Sequence, residues 1–251
     1  MSTQDTGYRR TLLKTGWADL DREKTDHGRG TPMPAMQKPC TGMTLALPDP
    51  SSAATAGVAV GDAIARRASL RKFADAPLAL EELSFLLWAT QGVRKHTEKA
   101  SFRTVPSGGA RHPLETYLFC SRVDGIEPGL YRYLPFDHAL CSRGPIERMD
   151  EVLEEALLKH HFGAAVDFVW AAVPYRCEWK YGSESLRLVL LDAGHVCGQL
   201  YLACEELGCG TCAVGAYDQD KLDGLLGLDG QDEFAVYAAP VGKKSVARET
   251  D

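Results

Sequence analysis

Between Ser185 and Leu207 the chain carries its longest helical pattern. Val189, Ala193, Val196, Cys197, Leu200, Ala203, Cys204 and Leu207 follow helical spacing, and the pattern stops at Gly208 or Gly210. Leu186, Leu190 and Leu191 widen the apolar surface, so the spacing predicts burial on more than one side. Gly194 and Gly198 carry no side chain and leave room for another backbone to approach. Whatever the rest of the chain forms has to pack around this helix.

The remaining segments mix helix and strand without the strict alternation of a doubly wound sheet. Residues 1–52 read as an N-terminal extension, because Pro32, Pro34, Pro39, Pro48 and Pro50 favour an extended arm with little core of its own. Such an arm either wraps a partner subunit or is mobile. Residues 53–251 form the compact domain. A first helix is expected over Val58 to Arg67, and LEELSFLLWATQG gives a second, with Glu81 and Glu82 in its first turn and Gly92 as its stop. Val93 to Ser101 reads as a basic loop. RTVPSGGARHP makes a turn before the strand-like LETYLFCSRV, and GLYRYLPFDHAL reads as a hairpin. A helix over Glu147 to His160 and a buried strand in DFVWAAVPY follow, then the mixed RCEWKYGSES before the long helix. The tail repeats strand (Thr211 to Tyr217), helix (Asp218 to Leu226) and strand (EFAVYAAPVG), ending at Lys243 and Lys244.

Composition narrows the function. The formal net charge of −6 argues against nucleic acid as a partner. No window reaches the roughly 18 apolar residues of a membrane span. Arg9 and Arg10 before Leu12 and Leu13 faintly resemble a twin-arginine signal, but Trp17, Asp19 and Asp21 follow where an apolar region belongs, which points to a cytoplasmic protein. The eight cysteines are expected as buried thiols, not disulfides. Cys209 and Cys212 form a lone C-x-x-C pair, assigned to packing; without a second pair no metal site is expected.

The chemistry-bearing stretch is RRASLRKF, Arg66 to Phe73. Arginine's planar fork suits phosphate, and Ser69 among the cations suits an oxyanion held by several donors. With the overall charge negative, this patch is local and aimed at a small ligand. No G-x-x-x-x-G-K-[ST] and no G-x-G-x-x-G after a strand is present, which removes triphosphates and tightly bound NAD as the primary ligand. No Ser-His-Asp arrangement is recognisable by spacing.

In order, RRASLRKF, LALEELSFLLWATQG, RTVPSGGARHPLE, PGLYRYLPFDHAL, WKYG, LLDAGHV, LGCGTCAVGAYD and PVG resemble the nitroreductase family of FMN enzymes, and within it the SagB-type dehydrogenases, over Val58 to Gly242. The resemblance implies an α+β fold, a mostly antiparallel central sheet flanked by helices, and an intertwined homodimer with FMN at the subunit interface. It assigns Arg67, Ser69 and Arg71 to the phosphate, ribityl chain and pyrimidine edge. Ala68 stands where many relatives have a second polar residue. Pro106, Ser107 and Gly108 match the segment that the other subunit lays against the ring, Gly215 and Ala216 match the strand near flavin N5 and O4, and Lys243 falls near a C-terminal phosphate position.

Lys180 and Tyr181 match the Lys-Tyr pair that azoline-oxidising members use in catalysis, Lys as general base while N5 takes a hydride. His195 is expected as a buried helix residue. The implied activity is hydride transfer between flavin N5 and a small or peptidic substrate. It runs either as a SagB-like dehydrogenase or as a nitro or quinone reductase using NAD(P)H. A non-catalytic flavin-binding scaffold is the alternative, and a thiol oxidoreductase using Cys209 and Cys212 a third reading.

Overall fold

The computed structural model describes residue 10 and residues 13–245; Arg9 and Leu12 of the signal-like stretch lie outside the described residues. Strands β4 (Leu114–Cys120) and β7 (Val166–Ala172) form the middle of a seven-stranded sheet. Their register sets Leu118 opposite Phe168 and Tyr117 opposite Val169. Strand side chains alternate between faces. Leu118, Phe168 and Trp170 therefore enter one core, and Tyr117, Phe119 and Val169 the other. Burial on both faces explains the unbroken apolar run from Phe168 to Val173.

The hairpin β5 (Gly129–Leu134) and β6 (Ala139–Gly144) lies beside β4, while β9 (Phe234–Lys243) and β8 (Cys209–Thr211) extend the sheet beyond β7. The pairings within this sheet are antiparallel. One face is covered by α2 (Leu80–Gln91) and α5 (Ser185–Glu206), with α1 (Val60–Arg66) packed on α5. The other face carries α3 (Met149–Ala156) and α6 (Gln219–Leu226). This is the expected α+β arrangement.

Three local expectations change. The basic loop after Gly92 is a hairpin, β2 (Val93–His96) with β3 (Ser101–Arg103), and its polar Ser101 and Arg103 point inward. RCEWKYGSES contains a helix, α4 (Tyr175–Tyr181), that buries Arg176, Cys177 and Trp179. Of the strand expected from Thr211 to Tyr217, only Thr211 stays in β8, and Val214 makes a single bridge to Ala238.

The arm lies on its own chain. Its strand β1 (Thr44–Ala46) pairs with the edge strand β6, setting Thr44 opposite Cys141. That pairing corrects the cysteine reading, because Cys40 and Cys141 are joined in a disulfide across 101 residues of sequence. The other six cysteines are buried free thiols. Upstream, buried arginines hold the arm's carbonyls. Arg176 Nε donates to Ala35 (2.9 Å), Arg103 Nη2 to Met36 (3.2 Å), and Arg132 Nη2 to Lys38 and Pro39 (3.1 and 2.8 Å). Glu115 neutralises the cluster, paired with Arg132 Nη1 at 2.8 Å and with Arg176 Nη2.

This buried polar layer makes the fold acid-sensitive. Burial, together with the Arg103 charge, pushes His112 down to about 3, against a hydrogen bond to the Ser101 carbonyl. Burial alone would raise the Glu115 carboxyl, but Arg176 and Arg132 more than offset it and hold it below the ordinary range. Both groups bind protons more readily in the unfolded chain. The stability they contribute is therefore present above their unfolded pKa values and lost as pH falls toward the folded ones. The melting temperature should drop as pH falls below about 6.5, with His112 costing up to about 1.4 kcal/mol per pH unit. Scanning fluorimetry of His112→Gln should give a shallower decline between about pH 6.5 and 4.5. A slope identical to that of the parent protein would contradict this assignment.

Candidate active site

The basic stretch leaves α1 as an extended segment beside β8. Ser69 bridges Thr211 in parallel, and the Leu70 amide donates to the Thr211 carbonyl at 2.9 Å. Leu70 packs so closely on Gly210 that a Cβ there would lie 2.5 Å from its Cδ2. With Leu70 turned inward, alternation places Arg67, Ser69 and Arg71 on the other side, and all three are exposed. The three residues expected to grip the phosphate and flavin edge thus form one row.

Tyr201 on α5 organises that row. Its ring lies under the Arg67 guanidinium at 5.3 Å, and its hydroxyl is 2.9 Å from Ser69 Oγ. The Ala213 amide donates to the same hydroxyl at 2.8 Å. With Tyr201 as donor to Ser69, both tyrosine contacts are satisfied and the Ser69 proton stays free for an anion. Tyr201 escaped the sequence reading because it sits four residues after Cys197 and looks like core.

Gly215 and Ala216 are exposed close by in sequence, and a Cβ on Gly215 would meet nothing within 4 Å. Lys243 is placed differently from the row. Its ammonium is paired with Glu82 on α2, as Lys244 is with Glu205. Cys209 and Cys212 are buried and unpaired, and burial pushes the Cys209 thiol up to about 12 despite the nearby Lys243, which fits packing.

A second corner gathers the other expected residues. The Gly108 amide donates to Asp192 Oδ1 of α5 at 3.2 Å, and the Ser107 hydroxyl accepts from the His112 amide at 2.8 Å. Gly109 has φ +61°, and a Cβ there would fall 1.9 Å from the Tyr181 hydroxyl. The turn from Pro106 to Gly109 therefore lies directly against Tyr181, and only glycine fits without moving it. Lys180 Nζ sits 5.4 Å from the centre of the Tyr181 ring. Burial raises the Asp192 carboxyl above its usual range, opposed by the hydrogen bonds from Ser107 and Gly108. His195, expected as buried, is exposed on α5 with Nδ1 3.9 Å from Asp192 Oδ1.

The two corners are held apart by α5. Asp192 and Tyr201 are nine residues apart on this helix. That separation is about 14 Å along the axis and about two and a half turns around it, so they face opposite ways. On the side of the helix that carries Tyr201, and toward its N-terminus, lies an apolar stripe: Leu186, Leu190 and Leu191 are 43%, 57% and 48% exposed, with Gly194 and Gly198 open beside them. Val60 and Ile64 on α1 add exposed apolar surface. The second buried side expected for this helix is not supplied by the described residues.

The profile of the nitroreductase family matches residues 64–243. A nitroreductase-like protein of Methanocaldococcus jannaschii is 35% identical over 204 residues, covering 80% of this chain and 97% of the relative. The trifolitoxin-processing protein TfxB of Rhizobium leguminosarum is 31% identical, over 57% of this chain and 39% of its own length. Among solved structures, a nitroreductase-like protein of Ralstonia eutropha superimposes with a TM-score of 0.67 at 25% identity, covering 86% of this chain and 98% of that one. The motifs, the antiparallel sheet with α5 against it and these likenesses converge: the chain belongs to the nitroreductase family of oxidoreductases, with SagB-like relatives in it.

Proposed function

We propose that the protein is an FMN-dependent oxidoreductase of SagB-like dehydrogenase type, working as a homodimer on a small or peptidic substrate. The observation that carries this reading is the contact of the Tyr181 hydroxyl with the Pro106–Gly109 turn. It joins the Lys-Tyr pair to the segment expected to face the flavin. FMN, when bound, supplies hydride chemistry at N5.

The residues fit such a group. The row of Arg67, Ser69 and Arg71 is exposed, carries two guanidinium groups, and offers a hydroxyl proton that Tyr201 leaves free. The open backbone at Gly215 and Ala216 lets a flat ring approach. Lys243 contributes indirectly, holding β9 to α2 through Glu82.

One copy of the chain does not bring row and turn together, since they flank α5 on opposite sides. Two copies packed through the exposed α5 stripe would do so, covering its leucines and using Gly194 and Gly198 for close approach. In that arrangement the row of one subunit faces the turn, Lys180 and Tyr181 of the other. Lys180 then moves a proton to or from the substrate, and Tyr181 orients it by hydrogen bonding.

Two measurements check the assignments. Tyr201→Phe removes the hydroxyl that holds Ser69 and Ala213, and titration of apoprotein should show FMN bound about five- to tenfold more weakly, roughly 1 kcal/mol. Unchanged affinity would remove Tyr201 from the site. Lys180→Ala should keep yellow, FMN-loaded protein but lower turnover on the order of 100-fold or more. Full turnover in this variant would end the proton-transfer role. Anaerobic mixing of the parent protein with NADH and NADPH decides the direction: rapid bleaching by either marks a reductase, and no bleaching the dehydrogenase proposed here.

A further inference from the structure

The N-terminal arm passes over α4, where Trp17 meets the Tyr181 ring edge-on with centroids 5.2 Å apart, and then adds β1 to the sheet. β1 is the outermost strand on its side, at the opposite edge from β8 and the cationic row. Its register makes Met43, Leu45 and Leu47 the residues that bond to β6. The Ser142 amide donates to the Met43 carbonyl at 2.8 Å, and the Leu47 amide donates to the His138 carbonyl at 3.1 Å. In an antiparallel pair the residues between bonded positions point their backbone groups the other way. The N–H and C=O groups of Thr44 and Ala46 therefore face outward. Both residues are exposed, and neither makes a backbone bond on that side among the described residues.

Open edges of this kind are usually blunted by lysine, proline or a bulge. Residues 43–47 read MTLAL, without a charge or a proline, and the β1–β6 register runs without a shift. Met43 is 79% exposed. A cavity lies at each end of this edge. Met43, Thr44 and Leu45 line one of about 470 Å³ with Ile126, Pro128 and Tyr131, and Glu127 is the charged residue in its wall. Ala46 and Leu47 line the other, of about 970 Å³, with Phe85, Trp88 and Phe136. Arg94 and Lys95 there are matched by Asp49 and Asp137, so the larger cavity does not call for an anion. Both fall within the roughly 300–1,000 Å³ of ligand pockets.

We propose that the open edge of β1 is a docking site for an extended peptide segment with apolar side chains at alternate positions, which joins the sheet as an added strand. An extended peptide backbone presents donors and acceptors at the spacing that Thr44 and Ala46 require. It covers the three residues of β1 in about 10 Å, and its flanking side chains then reach the cavity at either end. Two cavities joined by one strand edge suit one extended chain better than a compact ligand. The surface serves recognition: it lies at the far edge of the sheet from Arg67, Ser69 and Arg71, and it does not depend on the FMN reading.

The probe is a fluorescein-labelled peptide, Lys-Val-Thr-Val-Thr-Val-Lys, titrated with the full chain and followed by fluorescence anisotropy. The parent protein should bind it saturably. The same peptide N-methylated at its three central residues keeps its side chains but loses those amide donors, and should bind on the order of tenfold more weakly. Thr44→Pro removes one outward donor. Proline is tolerated on an edge whose N–H faces solvent, so the fold should persist while affinity falls on the order of tenfold. Should that variant fail to fold, Met43→Glu at its exposed position sets a second carboxylate beside the cavity that holds Glu127, and should weaken binding by a similar factor. No saturable binding by the parent, equal affinity for the two peptides, or unchanged affinity in the folded variants overturns the proposal. If sedimentation shows that either variant lowers the oligomeric state, a second copy occupies the edge and the proposal falls. Flavin content and turnover play no part in these readouts, so the docking site and the cofactor reading stand or fall separately.

Discussion

A single buried carboxylate, Glu115, holds three parts of this protein together. It sits on the central strand β4 and pairs with Arg132 of β5 and Arg176 of α4, all almost fully buried. Removing it would leave two buried guanidinium groups uncompensated, a loss of about 3–5 kcal/mol. Its partners also spend their remaining donors on the carbonyls of Ala35, Lys38 and Pro39. One ion cluster thus fixes the sheet, the helix that carries Lys180 and Tyr181, and the arm that passes over them. Arg176 lies four residues before Lys180 on α4, so the position of the pair depends on a salt bridge formed at the other end of that helix.

The second constraint is the geometry of α5. Its inward side fills the core with Val189, Val196 and Leu200, while its outward leucines are uncovered. The helix holds the turn from Pro106 to Gly109 through Asp192 and the cationic row through Tyr201, on opposite flanks. The exposed leucines lie on the Tyr201 side of the same helix, the surface through which a second copy is proposed to pack.

Much of this was readable in the sequence where a signal is local. The buried strand from Asp167, the hairpin around Pro135 and the extent of α5 follow from periodicity that two-sided burial leaves in the residues. The row of Arg67, Ser69 and Arg71 was legible as a cluster of donors. What depends on distant pairing was not. Cys40 meets Cys141 only because the arm adds β1 to the edge of the sheet, and no spacing announces a contact across 101 residues. The β2–β3 hairpin was hidden because its inward residues, Ser101 and Arg103, are polar and are held by contacts beyond the hairpin, His112 to the Ser101 backbone carbonyl and Arg103 to Gln91 and Met36. Tyr201 and Asp192 were masked for a related reason: on a helix read as core, polar groups that organise a site look like packing.

The central claim is that each site draws its cationic row from one subunit and its turn and Lys-Tyr pair from the other. Co-expression of two differently tagged variants, Arg67→Ala/Arg71→Ala and Lys180→Ala, tests it most directly. Each variant alone forms only damaged sites, but a mixed dimer pairs the intact row of one with the intact pair of the other. Purified mixed dimers should regain one site in two, and a random mixture about a quarter of the parent activity. If mixed dimers stay as inactive as the separate variants, row and pair work within one chain and the account is wrong.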